Sequence, residues 1–176
     1  PDIRNVKKLN KNLDINSCVN VQVIQTALGV DVGQAALWPH DDNGQSSIYG
    51  ETHVGDKPAI VAVQPLDILI SDRRPRLLRM DIEGSEVNAL LGCTFDFPCI
   101  ISEINEGALK RAGHSAKDLF RLMRERGYRR YHLHADGSMP SHIDAYQDVV
   151  LKRENTNMLF APRDYVAKNL WPEVEL

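Results

Sequence analysis

The chain has 176 residues, with 21 Lys and Arg against 24 Asp and Glu, so its formal net charge is −3 with neutral histidines. This balance argues against a nucleic-acid-binding protein that works by bulk charge, and we expect no nucleic-acid partner. Hydrophobic residues make up 43% and charged residues 26%, which excludes disordered and fibrous classes. Because domains commonly have roughly 100–200 residues, we predict a single domain over residues 1–176, or a large part of one.

Two features of the sequence, its longest apolar stretch and its cysteines, bear on where the protein is located in the cell. Its most apolar stretch, residues 59–70, is interrupted by polar residues and is shorter than the roughly 18 apolar residues of a membrane span, so we expect no membrane partner. An odd number of cysteines without C-x-x-C spacing predicts neither a disulfide framework nor a thiolate metal site, and it favours a cytoplasmic location. These cysteines are Cys18, Cys93 and Cys99.

The first half of the chain predicts helices and short strands in alternation. Residues 2–14 carry apolar side chains at helical spacing, which predicts an amphipathic helix that lies on a sheet. Residues 19–28 alternate apolar and polar side chains and predict a strand. A turn-forming cluster between two β-like pieces predicts a hairpin excursion over about residues 33–57. A short strand over residues 60–63 and a helical turn over residues 66–70 follow.

The second half predicts strand, helix and strand in turn. Apolar runs at residues 77–82 and 99–101 predict strands buried on both faces, as in parallel sheets. One helix is predicted over residues 85–91, and another begins after the N-cap Ser115 and ends at Gly127. The later elements are a strand over residues 128–134, closing strands at 147–151 and 158–160 joined by residues 152–157, and a short helix from Arg163. Together they predict an α/β fold whose mostly parallel sheet has an antiparallel closing edge.

Polar clusters follow three of the predicted strands. In open α/β sheets, ligands bind at the carboxyl ends of the strands, so these clusters are the candidate site. The first cluster, residues 81–86, contains Asp81, Glu83 and Glu86 within six positions. The second is residues 103–106, which begins with Glu103, and the third is His132, His134 and Asp136.

Each cluster also has a structural interpretation. Glu83 and Glu86 would favour the positive N-terminus of the next helix, but this does not explain Asp81, because an unpaired carboxylate in a buried run is costly. Glu103 is equally well explained as a solvated loop acid. His132 and His134 share a strand face, but no third ligand is apparent, so hydrogen-bonded imidazoles are favoured and no metal site is predicted.

One segment resembles a known family. Residues 77–86, LLRMDIEGSE, resemble the D-x-E-G-x-E segment of the FkbM-type S-adenosylmethionine-dependent methyltransferases. Other parts resemble that family in the same order, so that the resemblance spans most of the chain and weakens beyond about Gly137. They are the helix that ends in residues 13–16, the strand that ends near Ala27 and Leu28, residues 43–47, residues 63–67, and residues 100–103.

The resemblance implies a Rossmann-like class I methyltransferase fold and the transfer of a methyl group from S-adenosylmethionine to a hydroxyl oxygen of a small molecule or sugar. In that fold, a glycine-rich turn after the first strand and an acid at the end of the second bind the cofactor. Pro1 begins a stretch that resembles the sequence after that acid, so we expect both elements to precede residue 1. If the sheet is ordered as in that fold, the missing first strand lies next to the strand that carries Asp81, and its removal would expose a hydrophobic edge. We therefore expect this polypeptide alone to be poorly stable or a homo-oligomer, and to bind the cofactor weakly or not at all.

The resemblance and the strand ends together suggest roles for individual residues. Asp81, Glu83 and Glu103 are the candidate catalytic groups, which would align the acceptor hydroxyl and accept its proton. Ala27 and Leu28 would line the adenine pocket, and Asp81 is also expected to contact the cofactor. Two alternatives stay open. One is a non-catalytic binding module that keeps the methyltransferase scaffold but lacks a complete cofactor site, and the other is a metal-dependent hydrolase that uses Asp81, Glu83 and either His132 or His134.

Overall fold

The structure is a computed structural model, and it describes residues 1–38, 46–50, 57–133, 141–142 and 155–165. The chain divides into two compact units. Unit 1 comprises Pro1–Leu69 and Asn88–Cys93, and unit 2 comprises Ile70–Val87 and Thr94–Leu176. Mixed helices and strands confirm the α/β class, and no helix among the described residues is both long and apolar enough to cross a membrane.

Unit 1 contains one long helix and a small sheet. Helix α1 is capped by Asp2, whose side chain accepts a hydrogen bond from the Arg4 amide. The sheet has the order β1-β3-β2, in which β1 is parallel and β2 antiparallel to β3. The elements are α1 (Ile3–Ile15), β1 (Ala27–Leu28), β2 (Gly33–Leu37), β3 (Ala59–Gln64) and α2 (Leu66–Ile70), the last of which crosses the boundary of the unit.

Two predictions for unit 1 need correction. No residue of α1 is buried, so this helix does not bury its apolar stripe on a sheet as predicted. The strand predicted over residues 19–28 is reduced to Ala27–Leu28, because only these residues pair with β3. Val19 is 95% exposed, so the apolar alternation before β1 has no sheet partner among the described residues. In the predicted hairpin region, Trp38 and Ser47 form an antiparallel bridge, while residues 39–45 and 51–56 lie outside the described residues.

Unit 2 contains a larger sheet with the strand order β4-β5-β8-β6-β7. Its elements are β4 (Leu77–Met80), α3 (Glu86–Leu91), β5 (Cys99–Asn105), α4 (Glu106–Arg111), α5 (Ala116–Glu125), β6 (Arg129–His132), β7 (Ser141–His142), β8 (Asn155–Ala161) and α6 (Arg163–Tyr165). Helix α3 crosses into unit 1 at Asn88. Helix α4 was not predicted, although Asn105 is its N-cap and accepts a hydrogen bond from the Ala108 amide at 3.0 Å.

The direction of the strands differs from the prediction. Only β1·β3 and β4·β5 are parallel, and the other four pairings among the described strands are antiparallel, so a mostly parallel sheet is wrong for this part of the chain. The physical reason in unit 2 is β8, which runs antiparallel to both of its neighbours, β5 and β6. This strand includes residues 155–157, which were predicted to be a connection, whereas the closing strand predicted at residues 147–151 lies outside the described residues.

Burial in unit 2 is concentrated on β5, β8 and α5. Met80 is the buried residue of β4, whereas Leu77 is 52% exposed, because β4 pairs only with β5 among the described strands. The prediction that this strand is buried on both faces is therefore wrong. Helix α5 begins with a capping box between Ser115 and Asp118, and its Phe120 ring lies 6.1 Å from the Phe160 ring of β8. This packing holds the sheet on which the candidate site lies.

Candidate functional site

A tight turn follows β4 and presents the first acidic cluster. Strand β4 ends at Met80, and α3 begins only at Glu86. Glu83 has φ 52° and Gly84 has φ 106°, values that L-amino acids adopt at a cost. A Cβ atom on Gly84 would collide with the carbonyl oxygen of Ala108 in α4. A glycine is therefore required here both by its backbone angle and by the close approach of α4.

Two parallel strands bring three of the predicted residues together. In the β4·β5 ladder, Met80 pairs with Ser102, so the next residues along the two strands are Asp81 and Glu103. One carboxylate oxygen from each of Asp81, Glu83 and Glu103 lies within 4.8 Å of the others. We call these three residues the carboxylate group. The three candidate catalytic residues from the sequence thus lie in one cluster, and Glu103 lies within β5 rather than in a loop.

The carboxylate group changes the proton affinity of Glu103. Burial, together with the charge of Asp81 and a hydrogen bond to it, raises the Glu103 pKa from 4.5 to about 7, and the charges of Glu83 and Glu86 act in the same direction. A hydrogen bond between two carboxyl groups requires a proton between them, and Glu103 carries one below this pH. Glu103 can therefore take up or release a proton near neutral pH.

Asp81 has a second partner that the sequence analysis missed. The Arg79 guanidinium forms an ion pair with the Asp81 carboxylate at 3.1 Å, with 61% of the arginine and 38% of the aspartate side chain exposed. Arg79 and Asp81 are two positions apart in extended chain, which places their side chains on the same side. Because exposed ion pairs contribute little to stability, we regard Arg79 as a local counter-charge.

Glu86 is the second residue whose contacts were not predicted. It is only 4% exposed, and its two carboxylate oxygens accept hydrogen bonds from the amides of Ile82 and Gly84, each at 3.1 Å. Burial raises the pKa of Glu86, which these hydrogen bonds partly oppose. The sequence shows an acid two positions after a glycine at the start of a helix. It does not reveal that the side chain turns back to accept hydrogen bonds from amides that precede it in the chain.

The other predicted residues lie elsewhere or have structural partners. Ala27 is buried and Leu28 half-buried, and both lie in unit 1, whereas the carboxylate group lies in unit 2. Glu106 of the second cluster accepts a hydrogen bond from the Ala116 amide at 2.8 Å and so joins α4 to the start of α5. His132 is on β6 and is not part of the carboxylate group, while His134 and Asp136 lie outside the described residues.

Clustered carboxylates can also bind a hard divalent cation. Ca²⁺ takes roughly six to eight oxygen ligands, and Mg²⁺ is commonly held by one or two carboxylates plus water and substrate. Among the described residues, the group offers three side chains and no histidine. This set lacks the histidine that the hydrolase alternative requires, so that alternative has no support in the described part of the chain.

The raised pKa of Glu103 has a consequence for stability. A glutamate whose pKa is higher in the folded than in the unfolded chain stabilises the fold when protonated, and this contribution is lost as the pH rises from about 4.5 to about 7. Because Glu103 is partly exposed and water screens the repulsion, we expect Glu103→Gln to raise the free energy of unfolding by about 1 kcal/mol at about pH 8 and to have little effect at about pH 4. Urea denaturation at both pH values measures this, and an equal effect at both would contradict it.

Comparison with known proteins identifies the family. A family model described as the methyltransferase FkbM domain matches residues 1–130, which contain the whole carboxylate group and Glu86. Comparisons with curated proteins and with solved structures found no match. The matched segment covers well over half of the 176 residues. The chain therefore belongs to the FkbM methyltransferase domain family.

Proposed function

We propose that this protein is an S-adenosylmethionine-dependent O-methyltransferase that methylates a hydroxyl of a small molecule or a sugar. Membership of the FkbM methyltransferase domain family supports methyl transfer. The observation that carries the choice of oxygen as the acceptor atom is the carboxylate group, whose three side chains each place an oxygen within 4.8 Å of the others, which helps to raise the Glu103 pKa to about 7. A general base works best when its pKa lies near the operating pH, and a hydroxyl acceptor must lose its proton during the reaction.

The residues present fit a cationic methyl donor. S-adenosylmethionine, when bound, supplies a methyl group that is attached to a positively charged sulfur. The sulfur is the leaving group and becomes a neutral thioether. The carboxylates of Asp81, Glu83 and Glu86 all raise the pKa of Glu103, so the site has a local excess of negative charge that would favour a cation. From the family resemblance alone, we also propose that Ala27 and Leu28, at the end of β1, line the adenine pocket.

Within this proposal, Glu103 accepts the proton of the acceptor hydroxyl. The hydroxyl oxygen would form the new bond to the methyl carbon while the bond from that carbon to the donor sulfur breaks. Asp81, which is hydrogen-bonded to Glu103, keeps the Glu103 pKa high enough for this transfer near neutral pH. Glu83 adds negative charge and lies close enough to orient the hydroxyl through a hydrogen bond. Arg79 balances part of the charge of Asp81.

The test is a methyl-transfer assay with the polypeptide expressed from its complete coding sequence. The protein is incubated with methyl-labelled S-adenosylmethionine and a panel of sugars and small hydroxyl compounds, and labelled O-methyl products are identified by NMR. We expect Asp81→Asn to lower the maximal rate about tenfold at about pH 8, where Glu103 has lost its proton in both proteins, because it removes a charge that raises the Glu103 pKa and so weakens the base; the pH at which the rate rises should also fall.

Each outcome of this assay decides between the proposals. Label on oxygen, with a lower rate for Asp81→Asn, supports the O-methyltransferase. Label on nitrogen or carbon would contradict oxygen as the acceptor atom, and an unchanged rate for Asp81→Asn would contradict the role of Asp81. No transfer to any acceptor, together with no measurable binding of the labelled cofactor, would favour the alternative of a non-catalytic binding module that lacks a complete cofactor site.

A further inference from the structure

Glu86 makes contacts that differ from those of the other acids of its segment. Asp81 is exposed and Glu83 is half-buried, whereas Glu86 is only 4% exposed. Its Oε1 accepts from the Ile82 amide and its Oε2 from the Gly84 amide, both at 3.1 Å. The two amides flank Glu83, so a single side chain is bonded to the backbone on both sides of that residue.

The turn that Glu86 holds has an unfavourable backbone conformation. Glu83 is not a glycine and yet has φ 52°, and Gly84 follows with φ 106°. Residues in such regions of φ/ψ space cost about 1–3 kcal/mol and persist only when surrounding contacts fix them. The Ser85 amide bonds to the Ile82 carbonyl at 3.3 Å, so the two bonds to Glu86 are the shorter backbone restraints on this turn.

An interaction with the helix dipole alone does not account for this arrangement. An acid in the first turn of α3 would gain that interaction while its carboxylate stayed in water. Burying a carboxylate is costly unless hydrogen bonds replace its lost hydration. Burial does raise the pKa of Glu86, and hydrogen bonds from its own amide and from the amides of Ile82 and Gly84 offset part of that effect. The Glu86 carboxylate is therefore buried in a position where its hydrogen bonds fix the turn.

We propose that Glu86 is a positioning residue, whose carboxylate fixes the Ile82–Gly84 turn and thereby holds Asp81 and Glu83 against Glu103. The contacts of the turn carry this inference, and only its consequence for catalysis rests on the proposed function. When the turn loosens, Asp81 and Glu83 move away from Glu103, and the repulsion that keeps a proton on Glu103 decreases. Methyl transfer then slows, although Glu86 does not touch the acceptor.

The experiment compares Glu86→Gln with Glu86→Ala in the full-length polypeptide without added ligand. Both variants remove the same charge, but glutamine keeps one oxygen acceptor and alanine keeps none. Amide hydrogen exchange at residues 82 and 84 reports the bonds directly, and ¹³C NMR titration of the Glu103 carboxyl reports its pKa, which falls when Asp81 and Glu83 move away. We expect exchange at both amides to be about tenfold faster or more in Glu86→Ala, with one amide still protected in Glu86→Gln. We also expect the Glu103 pKa to fall further in Glu86→Ala than in Glu86→Gln.

Asp118→Ala is the matched control. Asp118 also accepts a backbone hydrogen bond at the start of a helix, from Ser115 at 2.9 Å, but it belongs to α5. We expect this variant to leave exchange at residues 82 and 84 and the Glu103 pKa unchanged. Equal Glu103 pKa values in the two Glu86 variants, or unchanged exchange at both amides, would overturn the proposal. These measurements need no substrate, so they test the positioning role of Glu86 even if the methyl-transfer assay contradicts the proposed function.

Discussion

Replacing Glu103 with Gln is expected to lower the rate of methyl transfer by roughly 10²–10⁴-fold, the range that general acid–base catalysis contributes. The change removes the proposed base, whose pKa is about 7, and leaves a side chain of nearly the same size. We also expect the pH profile to change. In the unaltered protein the rate should rise as Glu103 loses its proton near pH 7, and this limb should be absent in Glu103→Gln. Initial rates across a pH series, with a saturating acceptor, measure both effects.

Glu125→Gln is the control for this experiment. Glu125 is the last residue of α5 and is exposed, so the substitution makes the same chemical change outside the carboxylate group. We expect its rate and pH profile to match those of the unaltered protein. If Glu103→Gln retained both the rate and the rising limb, Glu103 would not be the base, and Asp81 or Glu83 would have to accept the proton.

The sequence predicted the members of the candidate site better than the connections between them. Asp81, Glu83 and Glu103 were singled out because they follow apolar runs, and parallel pairing of β4 with β5 brings those positions to the same edge. The pattern could not reveal the Asp81–Glu103 hydrogen bond or the contacts of Glu86, because both depend on the path of the backbone between residues 81 and 86. That path includes a non-glycine residue with positive φ, Glu83, which no sequence rule predicts.

In the fold too, features that depend on neighbouring residues were predicted correctly, and features that depend on distant segments were not. Capping by Ser115 and the limits of α2 were predicted from neighbouring residues, and the structure confirms them. The errors concern partners. Residues 19–26 alternate as a strand should but pair with no strand in the described part of the chain, and β8 inserts between β5 and β6 although it is distant from both in sequence. Periodicity describes which faces of an element are apolar. It does not specify which element covers them.

Replacing Gly84 with Ala is expected to cause the largest loss of stability among the substitutions considered, about 3 kcal/mol or more. Two separate effects add at this position. A φ of 106° is strained for any residue with a Cβ atom, and that atom would also collide with the Ala108 carbonyl oxygen in the backbone of α4. Because the obstacle is backbone rather than a flexible side chain, α4 or the turn must shift. Urea denaturation measures the loss, and the same shift should abolish methyl transfer.

Gly113→Ala separates the two effects. Gly113 has φ 81°, but beyond its own atoms and those of its two chain neighbours no heavy atom lies within 4 Å of the position that its Cβ would take, so this variant has backbone strain without a collision. We expect it to lose only about 1–2 kcal/mol, the cost of placing a Cβ in a left-handed conformation. A similar loss in the two variants would mean that the turn after β4 does not pack against α4 as described. A much greater loss for Gly84→Ala would mean that this contact fixes the turn between Asp81 and α3, and hence the position at which Asp81 and Glu83 meet Glu103.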